Sequence, residues 1–152
     1  MINKIQTKFY FLLFSIFIIL IDQFTKLLMF YNYKTYINKN FILFKLDLVK
    51  NYGAAFNILN GNRVFLSCIS IIFSVLLAYL ILKKDTSDTM HLLAYSFILG
   101  GTIGNGLDRI LKGFVIDFIN INFLNFPVFN ISDISINIGF ILIIYSMFKN
   151  KR

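Results

Sequence analysis

Apolar and polar positions divide the chain into four long apolar stretches and two short alternating ones. Phe9 to Phe30, Val64 to Leu82 and Leu92 to Leu111 each have about the length of a bilayer-crossing helix, roughly 20 residues, and Ile134 to Phe148 is a shorter fourth. The fourth stretch has 15 residues, about 22 Å of helix, so its helix is expected to begin near Ser132. Phe41 to Lys50 alternates at its polar end and reads as a strand, as does Phe114 to Ile119. The pattern predicts an all-α membrane protein with four transmembrane helices, at about 9–30, 64–82, 91–111 and 133–148, and a small β-containing cap over one end of the bundle. No repeat, linker or low-complexity tract interrupts it, so residues 1–152 are expected to form a single domain. The lone Pro127 falls in the last loop, where it fixes the approach to the fourth helix.

Consecutive spanning helices run in opposite directions, and this sorts the polar residues by side. Asp22 comes late in the first span and Asn51 just before the second. Asn105, Asp108 and Arg109 close the third, and Asp133 opens the fourth. All of them meet at one end of the bundle. The other end receives the termini and the short Lys83 to Met90 loop, so any chemistry belongs to the first end. Gly100, Gly101 and Gly104 in the third span allow a neighbouring helix to approach closely. At the amino end, Lys4 and Lys8 precede an apolar run as in a secretory signal. The Asp22-Gln23-Phe24-Thr25-Lys26 segment offers no small-x-small cleavage site, so an uncleaved first helix is expected.

Composition agrees with a membrane protein: 58% apolar and only 14% charged residues in 152 positions, with a mean hydropathy of +0.75. The net charge of +8 comes from basic residues scattered along the chain, with no basic helix or aromatic-basic platform. Nucleic acid is therefore not an expected partner, and anionic lipid head groups are. Charge alone leaves orientation nearly tied. Lys4, Lys8, Lys83, Lys84, Lys149, Lys151 and Arg152 lie at the end with the termini, against Lys34, Lys39, Lys45, Lys50, Arg63, Arg109 and Lys112 at the other. Only the compact Lys149-Asn150-Lys151-Arg152 tail tips the balance toward internal termini. The many Phe, Ile, Asn and Lys residues, with no Glu and no Trp, follow the drift of an AT-rich genome, so single Asn and Lys residues carry little weight. Cys68 has no second cysteine, which leaves no disulfide or thiol metal site, and His91 reads as a solvated residue at a loop-helix junction.

All seven acidic residues are aspartates. Asp85 and Asp88 lie in a polar loop and Asp47 on a strand, all read as solvent-facing. Asp22 is within helical reach of Lys26 for a local ion pair. Asp108 adjoins Arg109 at a helix end, where the arginine also complements the helix dipole. Asp117 and Asp133 have no such local partner and stand in apolar surroundings, where ionised carboxylates are costly. If the two meet, one holds a proton while the other stays charged, which is the arrangement an aspartic protease uses. Spacing alone leaves a second reading open, a helix N-cap plus a structural acid.

Five motifs bear on that choice: Asp22-Gln23-Phe24-Thr25-Lys26, Asn51-Tyr52-Gly53-Ala54-Ala55-Phe56, Gly100 to Arg109, Val115-Ile116-Asp117-Phe118 and Phe129-Asn130-Ile131-Ser132-Asp133. In this order and at these separations the chain resembles the lipoprotein signal peptidases, also called signal peptidase II, over nearly its whole length. The resemblance implies a multi-pass aspartic endopeptidase of the cytoplasmic (inner) membrane, with both termini in the cytoplasm, the β-containing cap on the outer side and the active site near the outer face. Its implied partners are membrane lipids and a diacylglyceryl-modified prolipoprotein, cut before the lipidated cysteine. It implies no metal and no cofactor, and the chain is taken as a monomer. By position, Asp117 and Asp133 match the family's catalytic pair. Asn51, Asn105, Arg109 and Asn130 match its polar support residues, and Asp22 and Asp108 its other recurrent acids. Thr102, Asn57, Phe126 and Ser132 depart from the usual pattern, and the Ser132 hydroxyl is expected to reach the dyad. Two rivals remain at this level. A small proton-coupled transporter predicts a polar path continuing to the other face, and a noncatalytic membrane scaffold predicts that both Asp117 and Asp133 are dispensable.

Overall fold

The computed structural model describes residues 4–36, 41–83, 89–121, 123 and 126–149; Asp85, Asp88 and the Asn150-Lys151-Arg152 tail lie outside them. In chain order the elements are α1 (Lys4–Tyr31), the single turn α2 (Tyr33–Tyr36), β1 (Phe44–Asn51), a 3-10 turn (Ala55–Asn57), α3 (Arg63–Leu82), α4 (Thr89–Leu111), β2 (Val115–Ile121) and α5 (Ile131–Lys149). The two strands expected from alternation are present and pair antiparallel.

Helix α4 is the centre of the bundle and packs against α1, α3 and α5. Its sequence explains the position. Gly100 and Gly101 are buried, and a Cβ on Gly100 would meet Ile18 of α1 while one on Gly101 would meet Ile136 of α5. Hydroxyls stitch the same seams: Ser15 donates to the Ser96 carbonyl at 3.1 Å and Ser135 to the Phe97 carbonyl at 2.6 Å.

Among the described residues, three helices are long and apolar enough to cross a membrane: Gln6–Tyr31, Arg63–Leu82 and Ile131–Lys149. These three turn large apolar side chains outward, including Phe24, Ile72 and Ile141 at 62, 65 and 64% exposure. Faces of that kind are suited to lipid. The expected span at Leu92 to Leu111 is a helix, but its Gly, Ser, Asn, Asp and Arg residues keep it outside that class, because its surroundings are protein. The short fourth stretch gains length at its start: α5 begins at Ile131 and has 19 residues.

The ends of α1 and α4, the start of α5 and both strands lie together. Under the sheet, Met29, Ile116 and Phe118 form a core with Leu46, Leu48 and Ile131 packed on it. A separate cluster of Leu77, Ile81, Leu92, Ile98 and Leu99 fills the half of the bundle toward the end of α3 and the start of α4.

Candidate active site

The sheet presents the first carboxyl. Leu46 pairs with Ile119, but Val49 pairs with Asp117 and Asn51 with Val115, so a bulge lies between Leu46 and Val49. The extra residue decides which side chains share a face, because a one-residue change of register exchanges the two faces of a strand. With the bulge, Asn51 falls on the face of Asp117; without it, Asn51 would point to the other side. On the other edge of β2, Phe129 forms an isolated bridge with Ile119. That bridge delivers the next residue, Asn130, to Asp117 and to the start of α5.

Asn130 caps α5 reciprocally. Its Oδ1 accepts from the Asp133 main-chain N–H at 3.0 Å, and the Asn130 N–H donates to Asp133 Oδ2 at 3.1 Å. Asn130, not Asp133, is therefore the N-cap: Asp133 is the third residue of α5 and closes the cap from inside, which leaves it in the cleft that Asp117 also lines. With its Oδ1 occupied, Asn130 turns Nδ2 to Asp117 Oδ1 at 2.6 Å.

The other two asparagines follow the same plan. Asn51 Oδ1 accepts from the Gly53 N–H at 2.9 Å, and its Nδ2 donates to Asp117 Oδ2 at 3.0 Å. Asn105 Oδ1 accepts from Lys26 Nζ at 2.9 Å, and its Nδ2 donates to Asp133 Oδ1 at 2.8 Å. Each carboxyl oxygen thus receives one N–H and keeps lone-pair capacity for a further ligand such as water. Asn105 Oδ1 also accepts from Asn130 Nδ2 at 3.1 Å, which joins the two halves.

Asp117 is almost fully buried. Burial, and next the charge of Asp133, push its carboxyl up to about 7, against the donors Asn51 and Asn130 and the charge of Lys26. At neutral pH the pair can therefore carry a single proton. Both carboxyls line a cleft of about 520 Å³ whose other walls include Ala54, Phe56, Phe126 and Ile134. The rings of Phe56 and Phe126 meet edge to face at its rim, 6.1 Å between centroids. Polar acid-base groups in an apolar recess of this size can bind an extended, largely apolar chain and activate a water against it.

The remaining predicted residues are arranged as follows. Asp22 accepts from the Ser132 N–H at 2.8 Å and pairs with Lys26 at 2.8 Å, so the local ion pair expected from spacing is present. Asp108 pairs with Lys26 at 3.0 Å and Lys112 at 2.8 Å and accepts from the Ile116 N–H at 3.2 Å, tying α1, α4 and β2 together. Arg109 turns away from Asp108 to the Gly53 carbonyl at 2.8 Å and lines the cleft, so the two neighbours act on different elements. One expectation is corrected: the Ser132 hydroxyl is buried without a hydrogen-bond partner among the described residues and does not reach the dyad. It packs where Gly104 leaves no side chain. Asp47, expected to face solvent, is half-buried and bonded to Lys45 at 3.2 Å and Asn120 at 2.7 Å. Asn57 has a left-handed backbone, φ 61, a conformation Asn and Gly accept more readily than other residues.

The sequence matches the family model for signal peptidase (SPase) II over residues 14–149. The chain belongs to the signal peptidase II family. It is 34% identical to the lipoprotein signal peptidase of Pasteurella multocida, over 99% of this chain and 95% of that protein. With the lipoprotein signal peptidase of Enterococcus faecalis it shares 36% identity over 94% and 89% of the respective chains. A solved bacterial membrane enzyme, determined by the in meso method at 2.3 Å, superposes with a TM-score of 0.84 at 34% identity, covering 93% of this chain and 89% of that one. A second, determined at 1.9 Å, gives 0.76 at 35% identity, with 91% and 92% covered. As a member of the signal peptidase II family the chain is a peptidase and a membrane protein.

Sequence reasoning placed Lys26 only as an ion-pair partner inside a span. It is fully buried and reaches Asn105 as well as two carboxylates. The readable signal was a lysine one helical turn after an aspartate within an apolar helix, a costly residue that is not retained without a partner.

Proposed function

We propose that this member of the signal peptidase II family is an aspartic endopeptidase that removes the signal peptide from diacylglyceryl-modified prolipoproteins, cutting before the lipidated cysteine. Asp117 and Asp133 are the reacting pair. Asn51, Asn105, Asn130 and Arg109 position the pair and the substrate backbone, and Asp22 and Asp108 brace the elements that carry them. The observation that carries the reading is the pair of carboxyls, Asp117 buried and Asp133 half-buried, each held on both oxygens by N–H donors, in one apolar cleft.

In the reaction, the ionised carboxyl takes a proton from water as the water oxygen attacks the scissile carbonyl carbon. The protonated carboxyl gives its proton to the developing oxyanion. As the tetrahedral intermediate collapses and the C–N bond breaks, one of its hydroxyls returns a proton to the second carboxyl while the first gives the water-derived proton to the leaving amine of the cysteine, which restores the pair to one proton. The fold is read as one domain, residues 1–152, acting as a monomer, with α1, α3, α4 and α5 all spanning the inner membrane and α4 shielded by the other three. Both termini lie in the cytoplasm and the cleft at the outer face. A lipid-anchored cysteine brings the cleavage bond to that depth, so membrane attachment supplies much of the positioning. The apolar cluster Leu77, Ile81, Leu92, Ile98 and Leu99 stands where a proton-coupled transporter would continue its polar path.

The pH-rate profile tests this reading. With Asp117 as the proton donor, kcat for a diacylglyceryl-modified prolipoprotein in lipid or detergent should fall as pH rises through about 7. A rate unchanged from pH 5 to 9 would remove Asp117 from that role. The same group makes the fold more stable when protonated, a contribution full below its unfolded value near 3.8 and lost as pH rises through about 7. Thermal melts should show that decline in the parent and lack it in Asp117→Asn. Asn51→Ala removes one donor to the ionised form of Asp117. It should lower kcat about tenfold and move the alkaline limb to higher pH, read from the same profile.

A further inference from the structure

The carbonyl end of each asparagine at the dyad is anchored, but not by the same kind of partner. Main-chain N–H groups hold Asn51 and Asn130, whereas Asn105 is held by the ammonium of Lys26. Lys26 lies on α1, 79 residues from Asn105 in sequence, and none of its surface is exposed. A flipped Asn105 amide would set its NH2 against that ammonium and against the Nδ2 of Asn130, three donors facing one another with no acceptor. The ammonium therefore leaves Asn105 only one orientation, with Nδ2 toward Asp133.

The charge of Lys26 acts at the same place. The charged groups around it are Asp22 on its own helix, Asp108 and Arg109 on α4, Lys112 in the turn after it, Asp117 on β2 and Asp133 on α5. From α3, Arg63 is exposed and committed to the carbonyls of Arg109 and Ile110. Asp22 and Asp108 also take main-chain donors, from Ser132 and Ile116, so the lysine is not their sole support. Lys26 is absent from the cleft walls.

We infer that Lys26 is a positioning residue for the reaction: its ammonium commits the Asn105 N–H to Asp133, and its charge adds to the field that keeps one carboxyl of the Asp117–Asp133 pair ionised. This rests on the reading of that pair as the reacting groups. A nearby cation favours an ionised carboxyl, so its removal raises the proton affinity of Asp117 on β2 and moves activity to higher pH.

The test compares Lys26→Gln and Lys26→Arg with the parent as full chains in detergent, with rates per folded enzyme on a diacylglyceryl-modified prolipoprotein. Lys26→Gln should lower kcat at least about tenfold at a nearly unchanged KM and displace the pH profile upward by about one unit. Lys26→Arg, which keeps the charge, should restore the parent's pH range. Profiles of the Gln variant and the parent that superimpose overturn the inference, as does a displaced profile in Lys26→Arg. If Lys26→Gln does not fold, the charge-balanced Lys26→Met/Asp22→Asn variant is compared with Asp22→Asn alone. A further tenfold loss in kcat at equal KM supports the positioning role, and equal kcat overturns it. Asp117→Asn and Asp133→Asn assayed alongside separate the two failures: cleavage by both sinks the dyad itself, whereas inactive dyad variants beside unaltered Lys26 profiles sink only the role of Lys26.

Discussion

Asp117→Asn and Asp133→Asn should each lower cleavage of a diacylglyceryl-modified prolipoprotein by about 10³-fold or more while leaving a folded chain. The magnitude follows from the loss of a proton carrier, since positioned acid-base groups contribute roughly 10² to 10⁴ each and these two must exchange roles within one turnover. Survival of the fold follows from the bonding. An asparagine at 133 still offers Oδ1 to the Asn130 N–H, which keeps the reciprocal cap of α5. At 117 the change removes a buried charge whose burial and whose neighbour Asp133 both disfavour ionisation. The measurement is gel-shift cleavage by purified protein, with a thermal melt of each variant beside it. Cleavage persisting in both variants would eliminate the aspartic mechanism. Failure of the unaltered chain to cleave would revive the scaffold reading, in which both residues are dispensable.

Gly104→Val should have the largest effect on the fold. A Cβ at this position would stand 2.7 Å from Asp22 Oδ2 and collide with the Ser132 hydroxyl. Relief requires α1 or α5 to move away from α4. Either movement breaks the Asp22 bond to the Ser132 N–H, and movement of α1 also pulls the buried Lys26 from Asp108 and Asn105 on α4. Overpacking costs about 1–3 kcal/mol, and a buried charge that loses its partner about 3–5 kcal/mol. The variant should therefore fail to accumulate, or melt far below the parent. Gly61→Ala is the contrast: Gly61 has a positive φ of +81, but a Cβ there would meet nothing within 4 Å, so only backbone strain is at stake. Melting curves in detergent that place Gly104→Val level with Gly61→Ala would show that the seam tolerates a side chain and that close approach at this glycine is not needed.

Much of this molecule was legible from local chemistry. Helical stretches announce themselves by apolar runs and strands by alternation, whereas the N-cap of α5, offered by spacing to an aspartate, is Asn130. The sharing of one end by Asp22, Asn51, Asn105, Asp108 and Asp133 follows from chain reversal alone. The span count illustrates the limit. Hydropathy treats every apolar run alike, but α4 is surrounded by other helices, and its composition answers to protein neighbours, with glycines where backbones approach and polar groups where they find partners.

By itself the sequence determined the elements, the end of the bundle where polar groups gather, the family and the two carboxyls worth testing, because each depends on residue type and spacing along the chain. Only the tertiary structure decided how those groups face one another. The bulge that turns Asn51 onto the face of Asp117, the orientations of the three amides and the reach of Lys26 to Asn105 depend on contacts between segments 66 and 79 residues apart. The same holds for the Ser132 hydroxyl, which spacing placed at the dyad and helix packing turned away. A hydrogen bond needs its partners within about 3 Å and in line, and no periodicity along one segment specifies which face of a distant segment will meet it.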